Sequence, residues 1–434
     1  MKSCPQCKRV YPDDAGFCPV DGTGLQFASM VPVQGSSDDP RVGTRMCDRY
    51  EVRRVVADGG MGRVYEGIDK QNNSRIALKV LHDDVSKDEI SLERFKREFE
   101  ISRRLPHDHI VDVLDFQKDP ATGAWLLVME FLDGEELRVV LKREKALAPE
   151  RVIRMMSQVA AGLDEAHKIP IVHRDLKPDN LFLCGTREGD VVKILDFGSV
   201  KDKTKDAKKL TVLGTTIGSP YYMAPEQAQG LDTLDARADV FALGAIAYEC
   251  ICGTVPFSGT NGPSILLAIM TKDPEPPSLK GAKQKWPPPA TLDDALETAL
   301  AKNPNIRTKT VGELADSIGR AYGLSGDHRA WAKTPQAELA RQISAGQAAK
   351  PLGAAVDPFA ASDPFAAPGG AAVAAMPQGA GRVGMDAAFE QAREEDFAGA
   401  GMPPARPSWL VPVIVGVAAL VLGGGIALFA ALGH

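Results

Sequence analysis

The chain has 434 residues, a net charge of −6, 44% hydrophobic residues and 25% charged residues. That length holds two or three domains, the composition is that of a globular protein, and the acidic balance argues against nucleic acid as the main partner, which needs a basic surface. The seven cysteines are odd in number, with Cys250 and Cys252 inside an apolar run, so no disulfide framework is expected and reduced cytosolic thiols fit better.

In chain order, residues 1–26 come first and hold Cys4, Cys7 and Cys18. Met1 leads into polar sequence, so no signal peptide is expected. Cys4-Pro5-Gln6-Cys7 has the spacing of a metal knuckle, and Asp21 stands where a fourth ligand belongs after Cys18. Structural zinc closes a tetrahedron of four ligands, and so small a segment needs a metal to fold. Cys4, Cys7, Cys18 and Asp21 are therefore a candidate zinc set. Residues 27–49, rich in Ser, Asp, Pro and Gly, read as a linker.

Between residues 50 and 322 strand-like and helix-like patterns alternate at globular density, which predicts one folded domain. Glycines in Val56-Ala57-Asp58-Gly59-Gly60-Met61-Gly62-Arg63-Val64 allow backbone N–H groups to approach a phosphate. Ile76-Ala77-Leu78-Lys79 is a strand ending on a lysine. Phe95, Phe99 and Leu105 mark the apolar face of a helix that carries Glu98, with Glu93 and Glu100 as alternative acids. Trp125 to Phe131 reads as a buried strand that turns at Asp133-Gly134. Ile171 and Val172 are expected to end a strand, His173 to Asn180 to form a polar loop, and Leu181-Phe182-Leu183 to resume a strand. A further strand, Val191 to Leu195, delivers Asp196-Phe197-Gly198.

Residues 323–408 are dominated by Ala, Gly and Pro, lack periodic apolar positions, and are predicted to be disordered. Trp409 to Leu432 carries no charge. About 20 apolar residues span a bilayer as a helix, so this run predicts one transmembrane helix. Arg406 flanks it on the N-terminal side, which keeps the bulk of the chain in the cytoplasm. The expected location is the cytoplasmic membrane, single-pass.

The polar loop gathers two carboxylates, a lysine and an amide, the set that phosphoryl transfer requires. One Asp orients a hydroxyl and takes its proton, a Lys balances charge on the moving phosphoryl group, and an Asn oxygen ligates magnesium. A solvated polar turn explains any one of these residues but not the whole string His173-Arg174-Asp175-Leu176-Lys177-Pro178-Asp179-Asn180. This string resembles the catalytic loop of the protein kinase family, and the Lys177-Pro178 pair resembles its serine/threonine branch. The implied fold is α+β and bilobal, with a small β-rich N-lobe and a larger helical C-lobe, beside a zinc-ribbon-like segment and a membrane helix.

The resemblance implies Asp175 as catalytic base, Lys177 as phosphate contact, and Asn180 and Asp196 as magnesium ligands. It pairs Lys79 with the ATP phosphates and with Glu98. Val56, Ala57, Gly59, Gly60, Gly62, Val64 and Ala77 would surround the nucleotide, Ala57 replacing the family's first loop glycine. Met129 would be the gatekeeper, the backbone of Glu130 and Leu132 would bond the adenine edge, and Phe182 would form its floor. Glu226 of Ala224-Pro225-Glu226 would pair with Arg307, and Asn303 stands where the family often has Asp. Arg174 would read a phosphate on the activation segment, with Thr211 first and Thr215 or Thr216 next, on spacing from Ser219. ATP and magnesium are the implied cofactors, protein substrates and the membrane the partners, with dimerisation compatible with autophosphorylation. The arrangement resembles bacterial eukaryotic-like (Hanks-type) serine/threonine kinases, with a non-catalytic docking scaffold as the rival that loss of these residues would have favoured.

Overall fold

The computed structural model describes residues 2–3, 10–11, 26–27, 39–169, 171–197, 220–231 and 234–349. Three two-residue strands, β1 (Lys2–Ser3), β2 (Val10–Tyr11) and β3 (Gln26–Phe27), pair antiparallel in the order β2-β1-β3. The four candidate zinc ligands themselves lie outside the described residues, as do the activation-segment threonines, Gly198 and Trp409–Leu432.

The small lobe is a six-stranded sheet. Its strands are β4 (Arg45–Met46), β5 (Tyr50–Asp58), β6 (Gly62–Asp69), β7 (Ser74–Leu81), β8 (Val113–Lys118) and β9 (Trp125–Glu130), with helix α1 (Glu89–Ser102) between β7 and β8. The order is β4-β5-β6-β7-β9-β8, with every pair antiparallel. Alternation sends Tyr50, Val52, Tyr65, Ile76, Leu78, Leu126 and Val128 into one buried cluster. Leu81, Phe95, Val111, Val113 and Leu127 form another, with Leu92 and Phe99 of α1 packed against it. Asp88 starts α1 by accepting from the Ser91 N–H at 3.0 Å.

The linker expected over residues 27–49 is corrected at its C-terminal end. Asp39 is buried, Val42 packs against the small-lobe core, and β4 adds a strand to the sheet. Polar composition hid this, because the contacts made there are mainly hydrogen bonds rather than apolar burial.

Beyond β9 come β10 (Gly134–Glu136), α2 (Leu137–Glu144) and α3 (Pro149–Lys168), then the hairpin β11 (Leu181–Thr186) and β12 (Gly189–Ile194), which pairs β10-β11-β12. The Val111 N–H donates to the Ile194 carbonyl at 3.0 Å and the Ile194 N–H to His109 at 2.8 Å, so the end of β12 is tied to the segment after α1.

The large lobe continues with α4 (Pro225–Ala228), α5 (Arg237–Cys252), α6 (Gly262–Thr271), α7 (Pro277–Lys280), α8 (Asp293–Ala299) and α9 (Val311–Ala321). Helix α5 is buried nearly all round, which is why its sequence shows no polar face. Helix α9 closes with a turn in which Gly323, at φ +85°, donates to Arg320 and Leu324 to Gly319, while Leu324 packs inward.

That turn redirects the chain rather than releasing it. Two further helices follow, α10 (His328–Lys333) and α11 (Gln336–Ala349), and Trp331, Leu339 and Ile343 are buried. The expected onset of disorder at residue 323 is therefore wrong over 323–349. The apolar anchors are few and far apart in an Ala-rich stretch, so composition outweighed their spacing.

Candidate active site

Two elements of the small lobe bring the first pair together. On β7, Ile76, Leu78 and Val80 point into the core, which leaves Ala77 and Lys79 on the opposite face. On α1, Phe95, Glu98 and Ser102 share the buried face. Glu98 is only 4% exposed, so its charge needs a partner. Lys79 Nζ meets both its oxygens, at 2.9 and 3.2 Å. Burial opposes charge on Lys79, but Glu98 and Asp196 outweigh it and hold the ammonium protonated.

The glycine loop bridges the ends of β5 and β6, where Asp58 and Arg63 sit opposite each other. The Gly59 N–H donates to the Gly62 carbonyl at 3.1 Å, closing a tight tip. A Cβ on Gly62 would lie 2.3 Å from the Val80 carbonyl oxygen, so backbone approach requires glycine there. Ala57 is 5% exposed and opposes Val64 across the hairpin, so the small side chain is accommodated at the departure from the family pattern.

At the junction of the lobes, Met61, Met129, Leu132 and Leu195 are half-buried apolar side chains on one cluster. The Glu130 N–H is taken by the Asp112 carbonyl at 3.0 Å, and its side chain accepts from Lys193 Nζ at 2.6 Å. An adenine contact by Glu130 therefore falls to its carbonyl alone. Phe182 opposes Glu136 and Lys193 within the β10-β11-β12 sheet.

No strand forms at Ile171 and Val172; they follow α3 in irregular chain and are held by burial, at 5% and 9% exposed, with Ile171 in the large-lobe core, instead of by a ladder. The loop His173–Asn180 is then fixed by Asp239 in the first turn of α5. Its oxygens accept from the His173 and Arg174 N–H groups at 2.8 and 2.9 Å, and His167 Nε2 lies 2.8 Å away. Burial pushes the Asp239 carboxyl up, but these bonds and the nearby histidines outweigh it and keep it below the usual range. Arg174 adopts a left-handed φ of +67°, costly for a non-glycine residue, and Gln227 Nε2 holds its carbonyl at 2.7 Å.

From that anchored turn Asp175 faces Lys177, whose Nζ donates to Asp175 Oδ2 at 2.8 Å. Burial weakens the Lys177 ammonium, and Asp175 with Asp179 and Asp196 more than restores it. Asn180 donates from Nδ2 to the Asp175 carbonyl at 2.7 Å, which leaves its amide oxygen for a cation. The loop is tied to the end of β12 through Leu195, which donates to the Asn180 carbonyl and accepts from His173 Nε2, both at 2.9 Å. Asp196 follows at φ +58°, close enough to raise both Lys79 and Lys177. Phe197 is fully buried, its ring edge-on to His173 at 4.8 Å.

Lys79, Glu98, Asp175, Lys177, Asn180 and Asp196 are thus brought to one cleft. Below it, Arg307 meets Glu226 through two bonds of 2.7 and 2.9 Å. Asn303 accepts from the Asn305 N–H at 3.0 Å, the turn-forming bond that an Asp would also make. Sequence reasoning missed the anchoring role of Asp239 and the cluster in which Arg138 joins Asp179, Tyr222 and Glu249. The available signal was a charge opening an otherwise apolar helix. Among the described residues no group of three or more His, Cys, Asp or Glu forms a metal cluster.

Comparison with known proteins agrees with this geometry. The protein kinase domain family matches residues 50–316. The serine/threonine-protein kinase pkn3 of Myxococcus xanthus is 37% identical over 272 residues, 62% of this chain and 49% of that protein. The serine/threonine-protein kinase PknA of Mycobacterium tuberculosis is 37% identical over 284 residues, 64% of this chain and 62% of that protein. The match thus spans about half to three-fifths of these relatives. The crystal structure of the M. tuberculosis PknI kinase domain superposes with a TM-score of 0.50 at 29% identity, covering 65% of this chain and 98% of that one. With more than half its length matched and the cleft assembled as described, the chain belongs to the protein kinase family.

Proposed function

We propose that the chain is an active serine/threonine protein kinase, transferring the γ-phosphoryl group of ATP to Ser and Thr hydroxyls of proteins, its own activation segment included. The observation that carries this is the meeting of the Lys79–Glu98 pair with Asp175, Lys177, Asn180 and Asp196 in one cleft. Lys79 holds the α- and β-phosphates, and Glu98 holds Lys79. Asp175, with Oδ2 engaged by Lys177, offers a carboxylate to the acceptor hydroxyl and takes its proton as the hydroxyl oxygen bonds to the γ-phosphorus. The bond from the γ-phosphorus to the bridging oxygen breaks and ADP leaves. Lys177 offsets charge on the group in flight. The Asn180 amide oxygen and the Asp196 carboxylate fit a hard cation, and bound magnesium supplies neutralisation of phosphate charge. Asp175→Asn should cut transfer from labelled ATP by about 10³-fold with nucleotide binding intact; labelling equal to wild type overturns the reading.

Regulation by phosphorylation at Thr211, with Thr215 or Thr216 next, is part of the same proposal. Arg174 supports it: its Nε and Nη1 are buried and have no hydrogen-bond partner among the described residues, and burial weakens the guanidinium. An anion is the natural partner for such a group. Mass spectrometry of active protein with every activation-segment threonine unmodified would refute it.

The sequence supports single-pass anchoring in the cytoplasmic membrane through Trp409–Leu432. Among the described residues no helix is long and apolar enough to cross a membrane. Deleting residues 409–434 should move the protein from the membrane fraction to the supernatant. A zinc ribbon at the N-terminus is supported by chain order: Cys4 and Cys7 fall between β1 and β2, Cys18 and Asp21 between β2 and β3. Metal analysis should find about one zinc per chain, lost in Cys4→Ser.

A further inference from the structure

We infer that Asp39, which lies outside the region matched by the kinase family, is a positioning residue that sets ATP affinity through Arg63 at the base of the glycine loop. The inference rests on reading that loop as the phosphate-binding element.

The loop is held from outside. Arg63 follows Gly62 at the start of β6 and faces Asp58, which closes β5. Its Nε and Nη2 both donate to Asp58 Oδ2, the former at 3.0 Å, so one guanidinium staples the two ends of the loop. From the residue that follows β7 comes a second hold. His82 donates its backbone N–H to the Met61 carbonyl at 3.1 Å, and its Nε2 lies 2.9 Å from the Gly59 carbonyl and 3.3 Å from Asp58 Oδ1. The carbonyls of the tip are thereby turned towards His82.

The staple itself is anchored by Asp39. The Asp39 side chain is 1% exposed and accepts from Arg63 Nη1, from Tyr65 Oη at 3.0 Å and from the Arg41 N–H at 2.8 Å. Burial pushes the carboxyl up, and these donors outweigh it, so the group stays ionised. A buried carboxylate with three donors is a fixed point, whereas Arg63 and Asp58 are each about a third exposed, at 32% and 38%. An exposed pair of that kind holds little geometry alone. Fixed by Asp39, the fork of Arg63 has one orientation, and so do the loop ends it joins. The glycines at the tip, whose ends this staple joins, are the part of the loop that approaches phosphate, so loss of Asp39 should weaken ligands in proportion to the phosphate they carry.

The test is titration calorimetry on the full chain with a non-hydrolysable ATP analogue plus magnesium, and with adenosine. Asp39→Asn should weaken the ATP analogue about fivefold, the size of one ordinary hydrogen bond, and leave adenosine unchanged. The KM for ATP should rise to match, with kcat within about twofold of wild type. Arg63→Gln should reproduce the shift, and the double variant should add nothing to it. Tyr65→Phe removes a donor to Asp39 without touching Arg63; it reports local loosening and should not separate the two ligands. Equal weakening of both ligands, additive single changes, or separation by Tyr65→Phe overturns the inference. Wild type binding ATP while no variant separates the ligands refutes this inference alone; wild type binding neither ligand refutes the nucleotide cleft and the inference with it.

Discussion

Asp239 shows how a residue outside the string His173–Asn180 shapes it. Its two oxygens satisfy consecutive N–H groups of a loop whose second residue, Arg174, holds a left-handed backbone. Asp239→Asn keeps the shape but replaces one acceptor oxygen by a donor, so one buried N–H loses its partner. Such a loss costs about 1–3 kcal/mol, and it falls where Arg174 is strained. Expected are a fall in kcat of ten- to a hundredfold with little change in the KM for ATP, and a lower melting temperature. Steady-state kinetics and calorimetric melting check both. The contrast with Asp175 explains what the sequence disclosed. Asp175, Lys177 and Asn180 are legible because the chemistry needs those types within a few residues of each other. Asp239 serves the same loop from 65 residues away, and its geometry arises only when α5 packs against the end of α3.

Helices α9 and α10 meet through two glycines and a histidine. A Cβ on Gly319 would lie 2.1 Å from the Trp331 ring, and one on Gly312 would lie 2.6 Å from His328. The seven-residue spacing puts both on one face of α9, a groove cut for α10. Gly319→Leu should expel Trp331, seen as a red-shifted tryptophan emission. Trp331→Ala should cost about 3–5 kcal/mol of stability by chemical denaturation. His328 adds a pH dependence. Its Nε2 lies 3.2 Å from Asp164 on α3 and its Nδ1 3.0 Å from Asp316 on α9. Asp164 and then Asp316 hold the imidazole above its ordinary 6.5 against the effect of burial. A folded pKa above the unfolded one stabilises fully below pH 6.5 and loses that contribution as pH rises through the folded value. Thermal melts should therefore decline from pH 6 towards pH 9 in wild type, and His328→Gln should flatten that slope.

The two lobes were legible because apolar alternation and the ordered motifs agree over residues 50–316. The edges were not, because at both ends the chain is held by isolated anchors in polar or Ala-rich sequence. Asp39 and Val42 hold one end; Trp331, Leu339 and Ile343 hold the other. This has a consequence for where the molecule can be cut. Ending the chain after Tyr322 removes Trp331 and uncovers the faces of α3 and α9 against which α10 and α11 pack. It also removes His328 from between Asp164 and Asp316, taking away the shared partner of both carboxylates. A chain ending after Ala349 keeps all of these contacts. Several kcal/mol separate the two, and for a domain of this size each corresponds to about 2 °C. The shorter chain should melt about 5–10 °C below the longer one and bind a dye for exposed apolar surface, and its loss of activity at 37 °C should follow melting rather than any change in the cleft. Equal melting temperatures for the two cuts would show α10 and α11 to be dispensable, and would move the boundary of the domain back to the turn at Gly323.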